Sequence, residues 1–119
     1  MSDYAIRIFP SVQKELDAAM AAEARGEFFT SSEHLQRAHV LAQPSTFLHV
    51  RIHWCMFQFA ARNRLNGEAF GQLWRTFAAA LFTALKLVPT GNSGGADVSG
   101  FHRMAVAAEL QAIMDAARV

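Results

Sequence analysis

A chain of 119 residues, 52% of them hydrophobic and including ten Phe, two Trp and five Met, carries enough apolar material for one packed core, which excludes a disordered chain. Eleven Lys and Arg against ten Asp and Glu leave a formal net charge of +1, so neither nucleic-acid binding by charge nor an acidic tail is expected. The single cysteine, Cys55, excludes an intramolecular disulfide and any C-x-x-C pair, which suits a reducing cytoplasm.

The N-terminal "MSDYAIRIFP" has an acid at position 3 and neither the apolar run nor the small-residue cleavage site of a signal peptide, so a cytoplasmic protein is expected. Helical periodicity then dominates, with no sustained alternation that would mark a sheet. A first helix is expected over about 10–25, with Val12, Leu16, Ala19 and Met20 at core spacing and Glu23 at the stripe's edge. Pro10 suits its first turn and Gly26 the left-handed position after its end. A second, over about 28–42, presents Phe28, Leu35, Ala38, His39 and Ala42 on one face and stops before Gln43 and Pro44.

The third helix, about 45–65, is apolar nearly all round. Phe47, Val50, Trp54, Phe57 and Ala61 form one stripe and Leu48, Ile52 and Phe59 another, which places this helix in the middle of a bundle. A fourth, about 68–87, carries an amphipathic stripe through Phe70, Leu73, Trp74, Phe77 and Leu81. Its apolar run "FAAALFTALKLV" is broken by Lys86 and falls short of the roughly 18 to 20 residues of a membrane span. A long loop, 89–104, rich in Gly, Ser, Asn and Asp, leads to a last helix, about 105–117, able to bury Val106, Leu110, Ile113, Met114 and Ala117. The expected fold is an all-α bundle of about five helices forming a single domain over 1–119.

The chemistry concentrates in "RAHVLAQPSTFLHVRIHWCM". His49 and His53 are four residues apart, which turns them only about 40° relative to each other on one helix face. His39 and His49 each stand five residues from Pro44, so an antiparallel hairpin brings all three imidazoles to one height. That pattern suits one transition metal (zinc, copper, iron or nickel), with an open fourth position that would permit catalysis. Met56 shares the face and would favour a softer ion. Buried imidazoles in a hydrogen-bonded core fit the same spacing.

Cys55 lies off that face, and His34 is about 140° away from His39 and expected at the surface. His102 or Asp97 could be delivered by the loop as a further ligand. Elsewhere the chemistry is thin. "TGNSGGA", 90–96, lacks the Gly-Lys-Ser/Thr end of a phosphate loop, no G-x-S-x-G elbow is present, and no carboxylate pair shares an apolar face, so no reaction is assigned. Aromatic-rich helices in a small chain also suit a helical surface for a protein partner or a homo-oligomer.

"ARGEFFTSSEHLQRAHVLAQP" resembles the helix-turn-helix unit of tetratricopeptide-type repeats, which implies a packed helical hairpin. The next comparable start, "NGEAF", comes 41 residues after "RGEFF", so no 34-residue repeat extends it. The wider pattern of "LQRAHVLAQ", "HVRIHW" and "VPTGNSGGADVSGF" resembles a family of small bacterial proteins classed as a domain of unknown function. That resemblance implies kinship and no activity, substrate or cofactor. The chain departs from the family pattern at "MAVAAEL", where a proline is expected near the start of the last helix.

Overall fold

The computed structural model describes residues 2–63, 71, 75 and 106–118. Among these, four helices occur and no strand: α1 (Asp3–Ala24), α2 (Phe28–Ala42), α3 (Thr46–Arg62) and α4 (Ala108–Arg118). Of the expected helix over 68–87 only residues 71 and 75 are described, both helical; its remainder, its bounds and the loop over 89–104 lie outside the described residues, and the five-helix count with them. No helix among the described residues is long and apolar enough to cross a membrane.

The start of α1 corrects the expectation drawn from Pro10. Ser2 is the N-cap, its Oγ accepting from Ala5 N–H at 3.1 Å, and Asp3 adds a charge favourable to the helix dipole. The helix therefore runs through Pro10, which cannot donate to the carbonyl of Ile6. Pro10 is exposed and Ile6 is 57% exposed, so the released carbonyl lies on the side where water can solvate it. On the opposite side Ala5, Ile8 and Val12 are buried, and this packing holds the early turns in the helix.

The other end of α1 follows its sequence signal. Gly26 has φ 75°, and two backbone bonds close the turn: Gly26 N–H to Glu23 O at 3.0 Å and Glu27 N–H to Ala22 O at 2.9 Å. This pair of nested bonds satisfies carbonyls that the helix end would otherwise leave open, and it needs a left-handed residue between them.

The turn sends α2 back antiparallel to α1, as contacts at three heights record: Ser31 Oγ donates to Ala19 O at 2.7 Å, Glu15 meets α2 at His34 and Arg37, and Tyr4 Oη donates to Leu41 O at 2.8 Å. Between them Ile8, Val12, Leu16 and Ala19 share one core with Leu35, Ala38, Leu41 and Ala42. Each larger aliphatic side chain removed from water contributes about 1.5–3 kcal/mol. Burial also raises the Tyr4 hydroxyl to about 12, as the ring loses solvent that would stabilise the phenolate.

α4 closes the other side of this pair by inserting Leu110, Met114 and Ala117 into the same core. Arg7 Nε donates to Ala117 O at 2.6 Å, and Arg37 ties Glu15 of α1 at 2.9 Å to Glu109 of α4 at 2.7 Å. The sequence stripe for the last helix is thus the buried one, with Val106 and Ile113 partly buried beside it.

Three expectations of burial are corrected. Met20 is 67% exposed and Phe28 51% exposed, because Met20 lies off the α1 face that carries Leu16 and Ala19, and Phe28 stands at the open start of α2. Among the described elements α3 packs mainly on α2. α3 buries Leu48, Ile52, Met56 and Phe59 and leaves the stripe through Phe47 (59% exposed) and Trp54 (47%) outward. An all-round apolar helix shows that several faces suit burial and does not show which neighbours cover them.

Gly26 carries a direct prediction. A Cβ at this position meets nothing within 4 Å, so Gly26→Ala costs only the left-handed backbone, about 1 kcal/mol, read as a lower urea midpoint with an unchanged slope.

Candidate metal centre

A short turn sets the register of α2 against α3. Gln43 N–H continues to His39 O at 3.0 Å, Ser45 N–H reverses to Ala42 O at 2.9 Å, and the Ser45 side chain caps α3 by accepting from Leu48 N–H at 3.4 Å. Pro44 at the tip has no N–H to donate to Val40 O, so the hydrogen-bond ladder of α2 is not extended there. α3 ends at Arg62, where Asn63 Nδ2 donates to Phe59 O at 2.8 Å.

With this register His39 faces both His49 and His53. The three Nε2 atoms stand 2.9 Å (39 to 49), 3.1 Å (39 to 53) and 3.1 Å (49 to 53) apart. The ring centroids form a wider triangle, 4.7, 4.7 and 4.8 Å on its sides, so every ring turns Nε2 inward. All three side chains are buried, at 1%, 3% and 3% exposure. The histidines picked out by spacing are the ones brought together, and no other group of three potential ligands of this kind occurs among the described residues.

Counting protons shows what this triangle asks for. A neutral imidazole nitrogen either carries a proton or presents a lone pair. Three atoms in two states always include one like pair, so in the neutral cluster at least one contact near 3 Å sets proton against proton or lone pair against lone pair. A cation removes the conflict, since all three rings then protonate Nδ1 and turn lone pairs to one ion. Nitrogens bound to a single ion at about 2.0–2.1 Å stand about 3.0–3.4 Å apart; the two 3.1 Å sides lie at the short end of that range and the 2.9 Å side just below it, so an ion would spread the triangle slightly.

Electrostatics favour the neutral, ligating form. His49 is held down to about 3 by burial first, then by the neighbouring His53 and by Arg75. An imidazole that resists protonation keeps its lone pair available over the physiological range.

The remaining candidates divide. Met56 is buried with the apolar core, and Cys55 lines a separate cleft toward α1, as its offset from the histidine face requires. Burial raises the Cys55 thiol above its ordinary value, partly countered by Arg51 and Arg62. His102 and Asp97 lie outside the described residues. His34 is part of a contact that the sequence reading missed: its Nδ1 donates to Glu15 Oε2 at 2.7 Å, beside Arg37 on Oε1 at 2.9 Å. The signal was Glu15 itself, an acid next to Leu16 on the inner side of α1.

The depressed His49 sets a pH dependence for the metal-free chain. Below pH 6.5 the unfolded chain takes up a proton at residue 49 that the folded chain refuses until about 3. Stability from this residue is therefore whole above pH 6.5 and declines as pH falls through the window, by at most about 1.4 kcal/mol per pH unit. In chelator-treated protein the loss of stability between pH 7 and 5 is expected to shrink in His49→Gln. An equal loss in both proteins would contradict it.

Neither the curated proteins nor the solved structures include a match to this chain. A family model described as "Protein of unknown function (DUF3703)" matches residues 7–114, nearly the whole sequence, and the chain belongs to that uncharacterised family.

Proposed function

We propose that this protein binds one first-row transition ion, zinc, copper, iron or nickel, through Nε2 of His39, His49 and His53. The observation that carries the reading is the buried Nε2 triangle with sides of 2.9–3.1 Å, whose proton conflict a cation relieves. Three neutral nitrogens leave the ion its full charge and an open coordination position, which suits an exchangeable ligand: a water, an anion or a side chain. The lone thiol stands outside the ligand set, so the site's chemistry is that of imidazole in a cytoplasmic setting.

A second reading, a helical surface for a protein partner or a second copy of the chain, rests on the outer face of α3. There Phe47 and Trp54 are exposed, and Trp54 stacks on Phe57 at 5.3 Å with the rings 22° from parallel. Sedimentation velocity distinguishes it: concentration-dependent association supports it, and a monomer at every concentration, with no partner recovered, opposes it.

Metal analysis of the untagged chain tests the leading reading. About one ion per chain is expected as purified or after loading, with His39→Ala, His49→Ala and His53→Ala each weakening affinity by at least about 100-fold while circular dichroism keeps the helices. Loading should also raise the melting temperature of the parent. A parent that takes up no zinc, copper, iron or nickel would return the three histidines to a purely packing role.

A further inference from the structure

The nitrogen triangle carries a shape as well as a closeness. Its sides of 2.9, 3.1 and 3.1 Å are nearly equal, and hydrogen bonding does not account for all three, since one contact always pairs like atoms. For three equal bonds to one ion, the angles at the ion follow from the ratio of side to bond. With bonds of about 2.1 Å, right angles set the nitrogens about 3.0 Å apart, tetrahedral angles about 3.4 Å, and a flat three-coordinate ion about 3.6 Å. The observed sides scatter about the first value.

Tetrahedral closure requires every side to widen, by about 0.3–0.5 Å, and the hairpin opposes that. His49 and His53 leave one helix four residues apart, so the α3 backbone limits their separation. His39 sits on α2, whose Leu35, Ala38 and Leu41 lie in the core shared with α1 and α4. The three rings are at most 3% exposed, in surroundings whose close packing resists such shifts. The donors narrow the ion further. Among the described residues no thiol or carboxylate joins the three imidazoles. Copper(I) favours sulfur, while copper(II) and nickel(II) favour tetragonal or square-planar sets, which do not present three equivalent nitrogens on one face. Zinc has no geometric preference of its own and closes as a tetrahedron. Three ligands on one face with open positions opposite suit iron(II).

We propose that the centre holds six-coordinate iron(II), with Nε2 of His39, His49 and His53 on one octahedral face and three oxygen donors on the face opposite. This deepens the metal reading of the same three histidines and rests on it. A third imidazole stands where the usual iron(II) face carries a carboxylate, so the ion keeps both its positive charges. Burial of the rings limits the opposite face to water-sized donors, and the ion itself supplies the polar partner that a buried water needs. The triangle's geometry thus selects among the four ions that imidazole chemistry alone admits.

Cobalt(II), of the same charge and stable in air, is the first probe, titrated into the full chain and followed by visible absorption and ¹H NMR. Six-coordinate cobalt(II) absorbs weakly because its d–d transitions are symmetry-forbidden, and four-coordinate cobalt(II) absorbs intensely. Saturation at one ion per chain is expected, with three exchangeable imidazole N–H resonances shifted far outside the protein envelope and a visible intensity within a few-fold of the aqueous ion's. Those shifted resonances beside an intense blue spectrum overturn the six-coordinate face and leave the histidine metal site standing. Their absence at saturating cobalt(II) overturns both. Iron(II) loaded anaerobically is expected to stay with the chain through gel filtration and to give a weak X-ray absorption pre-edge. A chain that retains zinc(II) but no iron(II), or an intense iron pre-edge, overturns the proposal. None of these measurements needs a variant, so none depends on an altered chain folding.

Discussion

The three-residue reversal at Gln43, Pro44 and Ser45 is the constraint on which the candidate site depends. It places the last turns of α2 opposite the first turns of α3, and once that register is set His39 has no face to occupy but the one shared with His49 and His53. The reversal is itself held from α1, because Tyr4 donates to the carbonyl of Leu41 just before the turn. A side chain from the first turn of the molecule thus satisfies one of the open carbonyls at the end of α2. Local turn chemistry, the α1–α2 core and the imidazole cluster are consequently parts of one cooperative unit.

Within that unit α2 serves two neighbours at once. Leu35, Ala38 and Leu41 belong to the apolar core that α1 and α4 also build, whereas His39 turns to α3. Burying three imidazoles together removes three polar rings from water, and their mutual contacts cannot all be attractive while the rings are neutral. An apolar replacement would fill the same space without that conflict. The metal reading supplies a reason for polar rings there, since a cation converts the like contacts into a common coordination shell.

Much of this was legible in the residues because the relevant signals are local. Gly26 marks its left-handed turn, Pro44 marks the hairpin, and helical spacing around that hairpin singles out the three histidines while rejecting Cys55. Kinship was also legible, in short motifs spread along the chain. What escaped is non-local or depends on which side faces water. Pro10 reads as a helix start, but its lost hydrogen bond falls on an exposed side, and Ser2 caps the helix earlier. Glu15, an acid within α1, is buried because His34 and Arg37 arrive from α2 to meet it. The apolar surface of α3 suggested the centre of a bundle, although periodicity alone cannot assign the neighbours that cover each stripe.

X-ray absorption at the metal edge of the loaded protein reads ligand type and distance at the ion. About three imidazole nitrogens at about 2.0–2.1 Å are expected, with the outer-shell scattering that imidazole rings give. A first shell containing sulfur, or one of oxygen with fewer than three imidazoles, would place the ion elsewhere and contradict that expectation.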